Sequence, residues 1–224
     1  ECYKGIYSSL NSMNLFEIAH SLNRQYGPEQ WCIYRGKHLM SFVDNHDVTR
    51  IASILTTPAH LPLAYGILFG MPGIPCIYYG SEWGIEGKKQ GRDEEIRPRL
   101  EKPEWNELSD AYALRPCFEA PKPNALTDFI HRLITLRQNS DALCNGGYRN
   151  ISITNHQLVF ERRTGQERIL IAINASESDF TIHHGELLGT FTDLLKSGSG
   201  NISQTLNGSL DLPAYSVQYL KEIS

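Results

Sequence analysis

The chain has 224 residues, 41% hydrophobic and 21% charged, with 21 Lys and Arg against 25 Asp and Glu for a net charge of −4. These values suit a folded protein of one large or two smaller domains. They give nucleic acid no clustered basic face, and no stretch approaches the ~18 apolar residues of a membrane span, so neither is expected as a partner.

In chain order, Leu15, Ile18, Ala19 and Leu22 recur at helical spacing and predict an amphipathic helix from Asn14 to about Tyr26. Asn14 followed by Glu17 has the pattern of a capping box, and Gly27-Pro28 ends the segment. A strand is expected at 39–43, closing in the polar run Asp44-Asn45-His46-Asp47. Thr57-Pro58 offers a cap and a first-turn proline for a helix near 58–70, apolar on nearly every side and therefore expected to be buried. Between Gly73 and Gly80 runs a continuous apolar stretch, which reads as a strand at 74–79 covered on both faces in a parallel sheet.

Residues 81–123 are irregular and rich in Gly, Pro and charge, and loops of that length are usually functional or disordered. Asn124 caps a helix through Arg137 with Leu126, Phe129, Ile130 and Leu133 on one face. From Tyr148 onward, β-prone runs at 148–154, 158–163, 169–174, 180–183, 190–194 and 216–220 alternate with turn residues. Residues 1–140 are thus expected to be consecutive βα units of a larger α/β structure, since two parallel strands cannot close a sheet. Residues 141–224 are expected to form an antiparallel β-sandwich. The opening Glu1–Gly5 is neither an initiator Met nor a signal peptide, and reads as the interior of a longer chain.

Cysteines and histidines point away from metal. Five cysteines without a C-x-x-C predict reduced thiols rather than a disulfide framework or structural zinc. His183-His184 is the only adjacent histidine pair, and neighbours on a strand face opposite ways. No metal and no cofactor are expected in this chain. Four N-x-S sequons (Asn150, Asn174, Asn201, Asn207) matter only in a glycosylating pathway, to which nothing else points; a cytoplasmic location is the expectation.

Chemistry concentrates where the first strand ends. In an α/β domain functional groups gather at the C-terminal ends of parallel strands, which favours Asp44-Asn45-His46-Asp47 as a site. The plain alternative is a cap-and-turn cluster leading into the next helix. A metal site from Asp44, His46 and Asp47 is the weakest reading, because consecutive side chains fan out.

Two segments carry a resemblance. Phe42-Val43-Asp44-Asn45-His46-Asp47 resembles the motif at the end of the seventh barrel strand in the α-amylase family of retaining glycoside hydrolases. Gly73-Ile74-Pro75-Cys76-Ile77-Tyr78-Tyr79-Gly80-Ser81-Glu82-Trp83-Gly84 resembles its eighth-strand motif, and Ile96-Arg97-Pro98 an Arg-Pro segment in the following loop. The order of these segments, the helix from Asn124 and the β-rich tail match the C-terminal portion of that family. The resemblance implies the seventh and eighth βα units of a (β/α)8 TIM barrel (1–140) followed by the family's C-terminal β-sandwich (141–224). It implies an α-glucan or maltooligosaccharide as the substrate of the intact parent.

By the same resemblance Asp47 is the catalytic carboxylate that stabilises the oxocarbenium-like transition state without attacking, and His46 donates a hydrogen bond to the same sugar. Asn45 and Arg97 are further substrate-binding candidates; the alternative for Arg97 is a surface arginine in a loop. A retaining mechanism also needs a nucleophile and an acid/base about 5–5.5 Å apart. The family's R-x-D nucleophile segment does not occur in this sequence. The expectation is a fragment that keeps one of three catalytic carboxylates and is inactive alone. Competing readings make the β-rich tail a non-catalytic carbohydrate-binding module or a structural accessory that covers the barrel. Its aromatics, Tyr148, Phe160, Phe180, Phe191, Tyr215 and Tyr219, lie mostly at strand positions that suit a core and favour the structural role.

Overall fold

A computed structural model describes residues 2–101, 117–119, 124–196 and 203–223. Helices α1 (Cys2–Asn11) and α2 (Phe16–Tyr26) pack on each other. Gly5 permits the contact, since a Cβ there would sit 3.1 Å from Ile18 Cδ1. The capping box expected at Asn14 is not formed. Leu15 takes the cap position, and the Glu17 carboxylate accepts instead from the Ser8 hydroxyl at 2.7 Å.

Strands β1 (Met40–Phe42) and β2 (Ile74–Cys76) pair in parallel, Met40 opposite Ile74 and Phe42 opposite Cys76. Between them run α3 (Ile51–Ile54) and α4 (His60–Gly70). Both strands are shorter than the apolar runs suggested. β2 is also not covered on both faces, for Ile74 is 55% exposed, and Met40 beside it 64%. The expectation for α4 holds: every residue but Leu61 and Pro62 is buried. Its Gly66 lets the helix reach Val217, whose Cγ2 would lie 2.7 Å from an added Cβ.

The segment expected to be irregular contains a short parallel pair, β3 (Arg99–Glu101) with β4 (Cys117–Glu119). Helix α5 (Ala125–Gln138) starts as expected at Asn124, whose side chain accepts the Thr127 N–H at 3.0 Å. Ser140 caps the short α6 (Asp141–Asn145) in the same manner.

Six strands follow: β5 (Gly147–Ile153), β6 (Gln157–Arg163), β7 (Arg168–Asn174), β8 (Phe180–Asp193), β9 (Ser203–Leu212) and β10 (Ser216–Ile223). All neighbours are antiparallel in the order β5-β6-β7-β10-β8-β9. They form one hydrogen-bonded sheet rather than the two of a sandwich. The runs expected at 180–183 and 190–194 are two ends of the single strand β8, interrupted by a bulge between His183 and Leu188. Bulges bend strands, and the long β8–β9 pair turns back over β5 and β7. The inner face encloses Ile151, Val159, Leu170, Phe191, Leu206, Leu210 and Leu220.

The outer face of β6, β7 and β10 shares a continuous core with α1, α2, α4 and α5, through Phe160, Ile171 and Tyr219. Two buried guanidiniums fasten this junction. Arg137 donates to the carbonyls of Phe69, Met71 and Gly73, and Arg162 to those of Gly70 at 2.9 Å and Gly146 at 2.8 Å. Both cations therefore cap the unsatisfied carbonyl end of α4. Among the described residues, no helix is long and apolar enough to cross a membrane.

Candidate active site

The polar run after β1 divides into a buried half and an exposed half. Asp44 is 1% exposed. Its Oδ2 accepts the Ile51 N–H at 2.8 Å, tying the strand end to the start of α3, and the Ser81 hydroxyl lies 2.8 Å from both carboxylate oxygens. Burial pushes this carboxyl above its usual range, opposed by those hydrogen bonds and by Arg50.

Arg50 extends the network. It donates to Ser81 Oγ at 2.8 Å, to the Tyr79 carbonyl at 2.7 Å and to the Ile96 carbonyl at 2.9 Å. Its guanidinium sits 4.2 Å from the Tyr78 ring centre and 5.2 Å from that of Tyr79. Neighbours on a strand face opposite ways. Instead β2 ends at Cys76, and the two rings meet edge to face at 4.7 Å against one cation. The Tyr79 hydroxyl donates to the Pro98 carbonyl at 2.7 Å, which holds the following loop against the strand ends.

Beyond this foundation lie the four residues singled out by sequence, and the structure brings all of them together. Asn45 Oδ1 accepts the Asp47 N–H at 2.8 Å, an Asx turn that aims Asp47 outward. Asp47 is 61% exposed. His46 Nε2 approaches its Oδ2 at 3.1 Å, and Arg97 Nη2 its Oδ1 at 3.0 Å. Arg97 also donates from Nε to the His46 carbonyl at 2.7 Å and pairs through Nη1 with Asp93 at 3.0 Å. Thus Arg97 is not a detached surface arginine: one planar fork spans Asp47 and Asp93.

Asp93 and Arg50 are missing from the sequence reading. Asp93 sits four residues before Arg97 inside a charge-rich loop, where nothing in its spacing separates it from Glu94 or Glu95. Lys89 hydrogen-bonds it and, with Arg97, holds its carboxyl below the usual range. Asp93 therefore stays ionised near neutrality, which suits holding a cation and not donating a proton. Trp83 meets the next helix through its carbonyl, which accepts from Asn124 Nδ2 at 3.2 Å. Among the described residues, no group of three or more His, Cys, Asp or Glu is placed to hold a metal ion.

The site can fix a negative charge beside neutral and cationic donors in an open position. An oxocarbenium-like transition state is stabilised by such a carboxylate, and sugar hydroxyls by such donors.

Comparison with known proteins gives a consistent result. The family described as "Alpha amylase, catalytic domain" matches residues 11–120. A cyclomaltodextrin glucanotransferase of Geobacillus stearothermophilus is 27% identical over 172 residues, covering 77% of this chain and 20% of that protein. The α-amylase from H. orenii superposes with a TM-score of 0.77 at 22% identity, over 99% of this chain and 48% of the other. The structure of AmyP in complex with maltotriose aligns with a TM-score of 0.65 at 16% identity, over 99% and 49% of the two chains. The chain spans about a fifth of the curated relative and about half of each solved structure.

Proposed function

We propose that this chain, which matches the α-amylase catalytic-domain family over residues 11–120, is a segment of a glycoside hydrolase of that family and forms the last two βα units, the seventh and eighth, of a (β/α)8 barrel and the domain that follows. The intact enzyme acts on α-glucans or maltooligosaccharides by hydrolysis or glycosyl transfer with retention of configuration. The observation that carries this reading is the Asp47 cluster at the C-terminal end of β1, gripped by His46 and Arg97.

In this reading Asp47 holds hydroxyls of the sugar being cleaved and stabilises positive charge as the glycosidic bond breaks. His46 donates to the same ring, Asn45 fixes the turn, and Arg97 orients Asp47. The other carboxylates described near by are poor substitutes for the nucleophile and the acid. Asp44 is sealed behind Ser81 and Arg50, and Asp93 is neutralised by Lys89 and Arg97. Both missing groups come from outside this segment, so the 224-residue chain alone turns over no substrate, and it uses no cofactor of its own.

The test has two arms. The longer enzyme containing this segment should release α-anomeric products from maltoheptaose, read by proton NMR before mutarotation, while the purified 224-residue chain releases none. Release of β-anomers, or turnover by the chain alone at ordinary enzyme rates, contradicts the reading.

A further inference from the structure

A cavity opens at the other end of the β1–β2 pair from Asp47. It lies beside His38 and Gly73, which precede the two strands, and beside Gly146 at the entry to β5, and it encloses about 410 Å³. That volume falls in the range of small-ligand sites.

Its charge is one-sided. Arg35, Lys37, Arg149, Arg162 and Arg163 line it against the single carboxylate of Glu161. That carboxylate is already committed, 2.6 Å from Arg168 Nε and 3.4 Å from Arg149 Nη2, and Arg163 comes no nearer to it than 4.0 Å. Arg35 and Lys37 have no acidic partner among the described residues. The turn that carries them is fixed. The Lys37 N–H donates to the Tyr34 carbonyl at 2.8 Å, and Gly36 supplies the left-handed φ of +69° between them.

The innermost cation is buried without a counter-ion. Arg162 is 1% exposed and donates to the Gly70 and Gly146 carbonyls, with no carboxylate in contact among the described residues. Those bonds use three of its five N–H groups. Burial, and then the neighbouring Arg137 cation, pull this guanidinium down to about 9. Buried charge is costly unless it is paired, so an anion entering the cavity relieves the repulsion between the two guanidiniums.

The ligand must therefore be anionic and offer oxygens in several directions. Guanidinium forks match the oxygens of phosphate, and five cations against one acid favour a doubly charged group over a lone carboxylate. We infer that this cavity is an anion site that binds the phosphate group of a small ligand between the Arg35–Lys37 turn and the Arg162–Arg163 end of β6.

Titration calorimetry of the longer enzyme with inorganic phosphate, at an ionic strength held constant with chloride, tests the site. Saturable binding is expected, weakened about tenfold in Arg35→Gln and in Lys37→Gln, whose exposed side chains can be changed without opening the core. Lys4→Gln removes an equal charge from an exposed position on α1 outside the cavity and should leave binding unchanged. Arg162→Met should abolish binding; where circular dichroism shows that variant unfolded, the two turn variants decide. Glucose 6-phosphate separates the sources of the group. Tighter, Arg35-dependent binding than that of inorganic phosphate assigns the site to a phosphate ester, equal or weaker binding assigns it to the free ion, and either supports a phosphate site. Absence of saturable phosphate binding, binding indifferent to Arg35→Gln and Lys37→Gln, or an equal loss in Lys4→Gln overturns the proposal.

Discussion

Two aspartates three positions apart do opposite work at the end of β1. Asp44 is an internal anchor, joining Ile51 and Ser81, whereas Asp47 points to solvent between His46 and Arg97. Asp44→Ala leaves the Ile51 N–H and the Ser81–Arg50 network short of an acceptor and should cost about 2 kcal/mol. At this size that is a Tm lower by roughly 4–8 °C, checked by calorimetry. Its raised pKa gives a further expectation. The unfolded carboxylate releases its proton at lower pH than the folded one, so this group's contribution to stability is greatest in acid and declines as pH rises through the folded value. Asp44→Asn, which cannot ionise, should flatten that part of the stability profile in matched melts.

The polar run after β1 was legible as a candidate site because a strand-to-polar transition marks where α/β folds display chemistry, and the resemblance singled out Asp47 within it. The role of Arg50 was not, because its partners Tyr79, Ser81 and Ile96 lie 29, 31 and 46 residues away in sequence.

Among the elements, those with strong local signals were readable. Asn124 at the cap and the apolar face behind it define α5, and the all-round apolar α4 is buried as its composition requires. Elements whose stability comes from neighbours were not. Helix α1 shows its buried positions Cys2, Gly5, Ile6, Ser9 and Leu10 at helical spacing, but with glycine and serine on that face the apolar pattern is faint. Strand β9 buries only Leu206, Leu210 and Leu212 among polar residues, and its register is set by β8. The bulge in β8 reads locally as a turn, which is why one strand looked like two.

Two long-range cations hold the elements together. Arg137→Met should strand the carbonyls of Phe69, Met71 and Gly73 at the end of α4. A loss of about 3 kcal/mol is expected, seen as a lower urea midpoint with the slope unchanged.

For the whole molecule, parallel β1–β2 units followed by an antiparallel β domain were legible from the sequence. The single curled sheet was not, because curvature depends on a bulge that hydrophobic alternation does not reveal. The shared core also gives an alkaline limit. Burial raises Tyr3 and Tyr26 to about 12 and also pushes Tyr65, Tyr148 and Tyr219 well above the ordinary tyrosine range. Unfolded tyrosine ionises near ~10. Stability from these groups is therefore complete below pH ~10 and is lost as pH rises through the folded values. Tyrosinate absorbance should appear together with loss of circular dichroism, and titration of all tyrosines in a still-folded chain would contradict it.

In the proposed function this segment contributes one carboxylate, Asp47, to a catalytic mouth completed by the rest of a longer enzyme. The most direct measurement is kcat and kcat/KM on maltoheptaose for Asp47→Asn and Asp44→Asn in that enzyme, at a temperature where both are folded. Asp47→Asn should lower both parameters together by about 10²-fold or more, and Asp44→Asn should leave kcat within a few-fold of the parent. A larger fall in kcat for Asp44→Asn than for Asp47→Asn would contradict it.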